Sequence, residues 1–115
     1  MEVSIILCSA PDLETARALA AGILDENLAA CVSIIPGVES HFVWQGNREI
    51  SAEVLLLIKS IPEAYSLLED YLRIHHPYEC PEIIQLPVAN VYHEYAKWVG
   101  ESFANPEQNE PLEET

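Results

Sequence analysis

The chain reads as an α+β domain of ferredoxin-like plan, an antiparallel β-α-β-β-α-β sheet with an extra C-terminal helix, built to work as a trimer. Three observations predict this. Strand-like and helix-like segments alternate in that order. The two central strands outrun every helix. And 115 residues, 50% of them apolar, suffice for one domain with one core. In this plan the strands lie side by side in the order four, one, three, two.

Val3 to Cys8 is short, apolar and rich in β-branched residues, which predicts a buried first strand, stopped by Pro11 because proline cannot extend a ladder. Ser9, Pro11 and Asp12 open a helix, with Ser9 the expected cap and Asp12 set against the positive end of the dipole. Leu13, Ala16, Ala20, Ile23 and Leu24 follow at helical spacing and should face the sheet. Ala29 to Ile35 and Val38 to Trp44 read as one long second strand, bent at Pro36-Gly37. Gln45-Gly46-Asn47 turns the chain into a third strand from about Arg48 to Lys59, whose Val54 to Ile58 stretch is apolar on both faces.

Ser60-Ile61-Pro62-Glu63 has the spacing of a capping box, and Ala64, Leu68, Tyr71 and Leu72 carry a second helix to His75, where Pro77 ends it. Glu82 to Leu86 is the fourth strand, closed by Pro87. Asn90 is the expected cap of a last helix with Tyr92, Tyr95, Trp98 and Val99 on one side. The domain so read spans residues 1–104. Residues 105–115 hold four glutamates, two prolines and one large apolar residue, and form an acidic tail expected to be disordered.

Five basic residues against nineteen acidic ones give a net charge of −14, and Arg17, Arg48, Lys59, Arg73 and Lys97 are scattered singly. Nucleic acid and anionic membrane are therefore poor partners, since phosphate binding draws on clustered cations. Such a surface concentrates cations, metal ions included, although it also simply keeps a protein soluble. Three cysteines, Cys8, Cys31 and Cys80, with no CxxC pair, argue against a disulfide framework and for a reducing compartment. The N-terminus carries no signal-peptide pattern, and no apolar run approaches the roughly 20 residues of a membrane span, so a cytoplasmic protein is expected.

Strands of about 12 to 16 residues reach roughly 40 to 50 Å at ~3.3 Å per residue. A helix of about 16 residues covers only ~24 Å. The hairpin must overhang its helices, and with Phe42, Val43 and Trp44 near its tip it is a surface suited to further copies of the chain, hence the expected cyclic homotrimer.

The topology sets the end of the first strand, the end of the second helix and the start of the fourth strand on one edge. Cys8, His75, His76 and Cys80 then meet. One sulfur and two imidazoles suit copper, and also zinc or mercury. Adjacent histidines on a helix diverge by ~100°, so both face one ion only if the helix unwinds at Pro77. The competing reading makes one imidazole a helix C-cap and Cys8 a small core residue. Cys31 and Cys80 read as packing residues, with Cys80 the alternative second thiol at the mouth of the site, and Glu79 and Glu82 either complete the metal shell or are simply solvated, as exposed glutamates near a loop usually are. Trp44, Lys59, Tyr92, Tyr95 and Trp98 form a second constellation that can converge between subunits, either to hold an anionic small molecule or to seal the trimer with Lys59 paired to a carboxylate. No G-x-S-x-G, H-E-x-x-H or Gly-rich phosphate loop is present, and no enzyme is expected.

Leu7-Cys8-Ser9-Ala10-Pro11-Asp12, Leu28-Ala29-Ala30-Cys31-Val32, Ile35-Pro36-Gly37-Val38, Trp44-Gln45-Gly46, Ile58-Lys59-Ser60, His75-His76-Pro77-Tyr78 and Pro81-Glu82-Ile83-Ile84 stand in this order and at this spacing. From about Val3 to Phe103 the chain thereby resembles the CutA family of divalent-cation tolerance proteins. The resemblance implies a tight trimer similar in fold to the P-II signal proteins, a role in tolerance of copper and other divalent metals, and copper bound through Cys8, His75 and His76. The rival expectation, by fold analogy, is a P-II-like regulatory or scaffolding trimer that takes a small molecule or partner protein at its subunit clefts.

Overall fold

The computed structural model describes residues 2–104, and the acidic segment 105–115 lies outside the described residues. The elements are β1 (Ser4–Ala10), α1 (Leu13–Asp25), β2 (Cys31–Trp44), β3 (Asn47–Ser60), a 3₁₀ turn (Pro62–Ala64), α2 (Tyr65–His75), β4 (Ile84–Pro87) and α3 (His93–Ala104). They form an α+β fold with one sheet in the order β2-β3-β1-β4. β1 pairs antiparallel with both β3 and β4, which is the expected order counted from the other edge.

β2 and β3, of 14 residues each, set the shape. At ~3.3 Å per residue they span roughly 46 Å, close to the 47 Å long axis of the molecule, whereas the 13 residues of α1 reach only ~20 Å. Their ladder runs from Cys31↔Lys59 to Ile35↔Leu55, slips at Pro36-Gly37, and resumes from Val38↔Glu53 to Trp44↔Asn47. The slip falls where proline has no N–H to give and Gly37 takes φ +82°. At the tip Gln45 and Gly46 both have positive φ, 51° and 84°, the geometry of a two-residue hairpin turn whose twist matches its strands.

Ile6, Cys8 and Ala10 of β1 and Val54, Leu56 and Ile58 of β3 alternate into one core with Ala16, Leu19 and Ile23 of α1 and Leu68 and Leu72 of α2. Gly22 lets the two helices close: a Cβ there would stand 1.6 Å from the Tyr71 hydroxyl. A smaller cluster of Val3, Ala96 and Val99, with Ile61, Tyr95 and Trp98 against it, docks α3. The alternate residues Ile5, Leu7, Leu55 and Leu57 are only half-buried, and Ile84 and Leu86 are exposed. The third strand is thus apolar on both faces, as expected, with one face packed under α1 and α2 and the other left partly open.

Four local signals resolve differently from expectation. Asp12, not Ser9, caps α1, its side chain accepting from the Thr15 N–H at 2.7 Å. Ser9 stays in the ladder opposite Leu55, and β1 continues to Ala10. The Ser60/Glu63 box does not form, because Ser60 ends β3 and gives its hydroxyl to the Leu28 carbonyl at 2.7 Å, leaving the 3₁₀ turn without a side-chain cap. α3 starts at His93, its first bond running from the Ala96 N–H to the Tyr92 carbonyl, so Asn90 lies outside it. On α1, Leu19 is buried and Leu24 exposed, the reverse of the expected stripe.

Candidate functional site

The ends of β1, α2 and the segment leading to β4 do share one edge. Cys8 sits opposite Leu56 on the helix-covered face and is fully buried. Burial above all, then the carboxylates of Glu82 and Glu53, push its thiol up to about 12. Without a metal the thiol keeps its proton at neutral pH, and an ion binding there has to displace it.

His76 follows the last turn of α2 with extended backbone angles, since Pro77 disfavours a helical residue before it. The ring is buried. Its Nε2 lies 2.7 Å from the Ser9 carbonyl and its Nδ1 accepts the Tyr78 N–H at 3.1 Å. A carbonyl can only accept, so Nε2 carries the proton and the imidazole is neutral with both nitrogens engaged. His75 is exposed on the helix surface, its ring centroid 4.2 Å from that of Tyr71. The structure therefore brings Cys8 and His76 to either side of Ser9 and leaves His75 outside. Among the described residues no three His, Cys, Asp or Glu side chains are grouped to hold a metal. As they stand within one chain, Cys8, His75 and His76 do not fit an ion as a set of three.

Beside this edge lies a cleft of ≈ 740 Å³, between the overhanging hairpin and the 77–82 segment. Trp44 and Cys80, expected on other grounds, line it together with residues the sequence did not single out, chiefly Glu53 and Tyr78. The Tyr78 hydroxyl donates to Glu53 at 2.6 Å, and the Ser9 hydroxyl to Glu82 at 3.3 Å. The Tyr78 phenol is pushed well above its usual range by burial and by Glu53. Glu53 had one signal in the sequence, a charge set directly before the apolar run Val54 to Ile58.

The second constellation separates into two places. Lys59 donates to Ser33 and, at 3.8 Å, to the Cys31 sulfur, both on the neighbouring strand. Burial, then Cys31, push the Tyr95 phenol up, and its ring stands 5.7 Å from that of Trp98. Lys59 and Tyr95 thus meet at Cys31 at one end of the open face, with Trp98 beside Tyr95. Tyr92 is 75% exposed at the foot of α3, and Trp44 lies at the far end of the hairpin.

The CutA1 divalent ion tolerance protein family model matches residues 4–102. The chain is 43% identical over 98 residues to the divalent-cation tolerance protein CutA of Yersinia pestis, covering 85% of this chain and 82% of that protein. Among solved structures, the divalent cation tolerance protein of Thermus thermophilus superposes with a TM-score of 0.82 at 39% identity, covering 84% of this chain and 94% of the other. The Xylella fastidiosa CutA gives 0.86 at 34%, covering 90% and 99%. Among the described residues no helix is long and apolar enough to cross a membrane. With the split sheet, the overhanging hairpin and the Ser9–His76 edge all carried within the matched span, the chain belongs to the CutA1 divalent ion tolerance family.

Proposed function

We propose that this is a cytoplasmic homotrimer that handles divalent cations, with copper as the metal. Cys8, His75 and His76, which one chain does not gather, become its donors only if the end of α2 unwinds at Pro77 to turn both rings toward the thiol. Family membership supports the cation role. The observation that carries the trimer is the partly open apolar face of the sheet, continued by an exposed hairpin end with Phe42, Val43, Trp44 and Ile50. A patch of that kind on a small domain is normally covered by a partner. The net charge of −14 favours the approach of cations to the assembly.

Size-exclusion chromatography with light scattering is expected to return the mass of three chains at micromolar concentration, and a single-chain mass defeats the reading. Calorimetric titration of reduced protein with Cu(I) and Cu(II) is expected to lose affinity in Cys8→Ser and in the His75→Ala/His76→Ala pair. Unchanged affinity removes these donors.

A regulatory trimer of P-II type is the second reading, and the half-buried Lys59 among Ser33, Cys31 and Tyr95 favours it, since an ammonium among neutral partners suits an anionic guest. A thermal shift with a nucleotide or carboxylate, absent with copper, would select this reading.

A further inference from the structure

Arg17, Arg48, Arg73 and Lys97 are exposed, and Lys59 alone of the five basic residues is half-buried. Among the described residues the ion pairs are His41–Glu39 and Arg73–Asp70, both at the surface, and no carboxylate lies within pairing distance of Lys59. Its partners are a hydroxyl and a thiol. In a chain with nineteen acidic residues this is an unusual setting for an ammonium.

Lys59 shares its face of β3 with Leu57, Leu55 and Glu53, because alternate residues of a strand point the same way. At one end of this half-open row stands the cation. At the other stands the cleft, where Glu53 and Glu82 are bound by hydroxyls of Tyr78 and Ser9 and by no cation among the described residues. Six residues of strand separate the two ends, roughly 20 Å, so they cannot meet within a chain. Covering the apolar row would bury Lys59, and a buried ammonium needs an opposite charge. The surface that covers it must therefore bring a carboxylate to that end, and this chain carries carboxylates beside the same row.

We propose that Lys59 of one copy enters the cleft of the next and pairs with Glu53 and Glu82, so that the cleft is a composite site completed by assembly. The inference rests on the trimeric reading above. In a closed ring every chain gives one Lys59 and receives one, and no pair is left over.

Charge reversal tests it. Lys59→Glu and Glu53→Lys, each alone, are expected to raise the concentration at which the assembly dissociates by roughly thirtyfold or more, and the double reversal to restore most of the loss. Circular dichroism checks that each variant is folded. In parallel, carbodiimide cross-linking of wild-type protein assembled from light and heavy-nitrogen chains is expected to give a Lys59 peptide joined to a Glu53 or Glu82 peptide of the other isotope. Wild-type protein that is a single chain sinks the trimer and this pairing together. A wild-type trimer whose single reversals dissociate as the wild type does, or whose Lys59 forms no cross-link between isotopes, overturns the pairing and leaves the trimer standing. Should a reversed chain fail to fold, the cross-link decides alone.

Discussion

The Nε2 of His76 donates to the carbonyl of Ser9 at 2.7 Å, tying the end of α2 to the end of β1 across 67 residues of sequence. The carbonyl belongs to the residue next to Cys8, and the other ring nitrogen holds the Tyr78 N–H, so one imidazole fastens the edge from which the cleft opens. Its neighbour His75 makes a ring contact with Tyr71 on the helix surface. Two consecutive histidines thus have separate structural tasks.

His76→Ala should destabilise the protein by about 1 to 4 kcal/mol, because it strands the buried Ser9 carbonyl, at about 1 to 3 kcal/mol, and the part-buried Tyr78 N–H, at about 1 kcal/mol or less. His75→Ala should stay within about 0.5 kcal/mol, as a surface change does. Urea unfolding of the two variants checks the contrast, and equal losses would contradict the division of roles.

Cys8 makes stability fall at alkaline pH. Its folded value of about 12 lies above the ordinary 9.0, so the unfolded chain gives up the proton first. The contribution is complete below about 9 and declines as pH rises toward about 12. Cys8→Ala should show a shallower alkaline decline than the wild type when melting temperature is followed from pH 8 to 11. Parallel curves would mean that the thiol titrates alike in both states.

Asp12 acts in the opposite direction. The Thr15 N–H holds its carboxyl below the usual range, so its contribution is present above the unfolded value of ~3.9 and is lost as pH falls through the lower folded one. Asp12→Asn keeps an oxygen for the cap. The variant should therefore be less stable than wild type near pH 7 and converge on it once the pH has fallen below the lowered folded value, as read by thermal unfolding.

Gly22→Ala gains up to ~1 kcal/mol in helix propensity but meets the Tyr71 hydroxyl at 1.6 Å and its Cζ at 2.7 Å. Overpacking of this kind costs about 1 to 3 kcal/mol, and a net loss is expected. Adding Tyr71→Phe removes the nearer atom and should recover part of it. A stabilised single variant would show that the helices separate freely.

The order of strands and helices, the Pro36-Gly37 bend, the overhanging hairpin and the family were all legible in the chain itself, because alternation, helical spacing and turn residues are recorded between neighbours a few positions apart. What only the tertiary structure decided is the choice of partner for each polar side chain. Ser9 and Ser60 carry strong capping signals, yet one hydroxyl is drawn to Glu82 across 73 positions and the other to Leu28 across 32. Tyr78 finds Glu53 across 25. A hydroxyl or imidazole leaving water takes whichever partner the packed chain sets within about 3 Å, and that partner has no periodicity to announce it. For the same reason the sequence places His75 and His76 side by side, while the fold buries one and leaves the other in solvent.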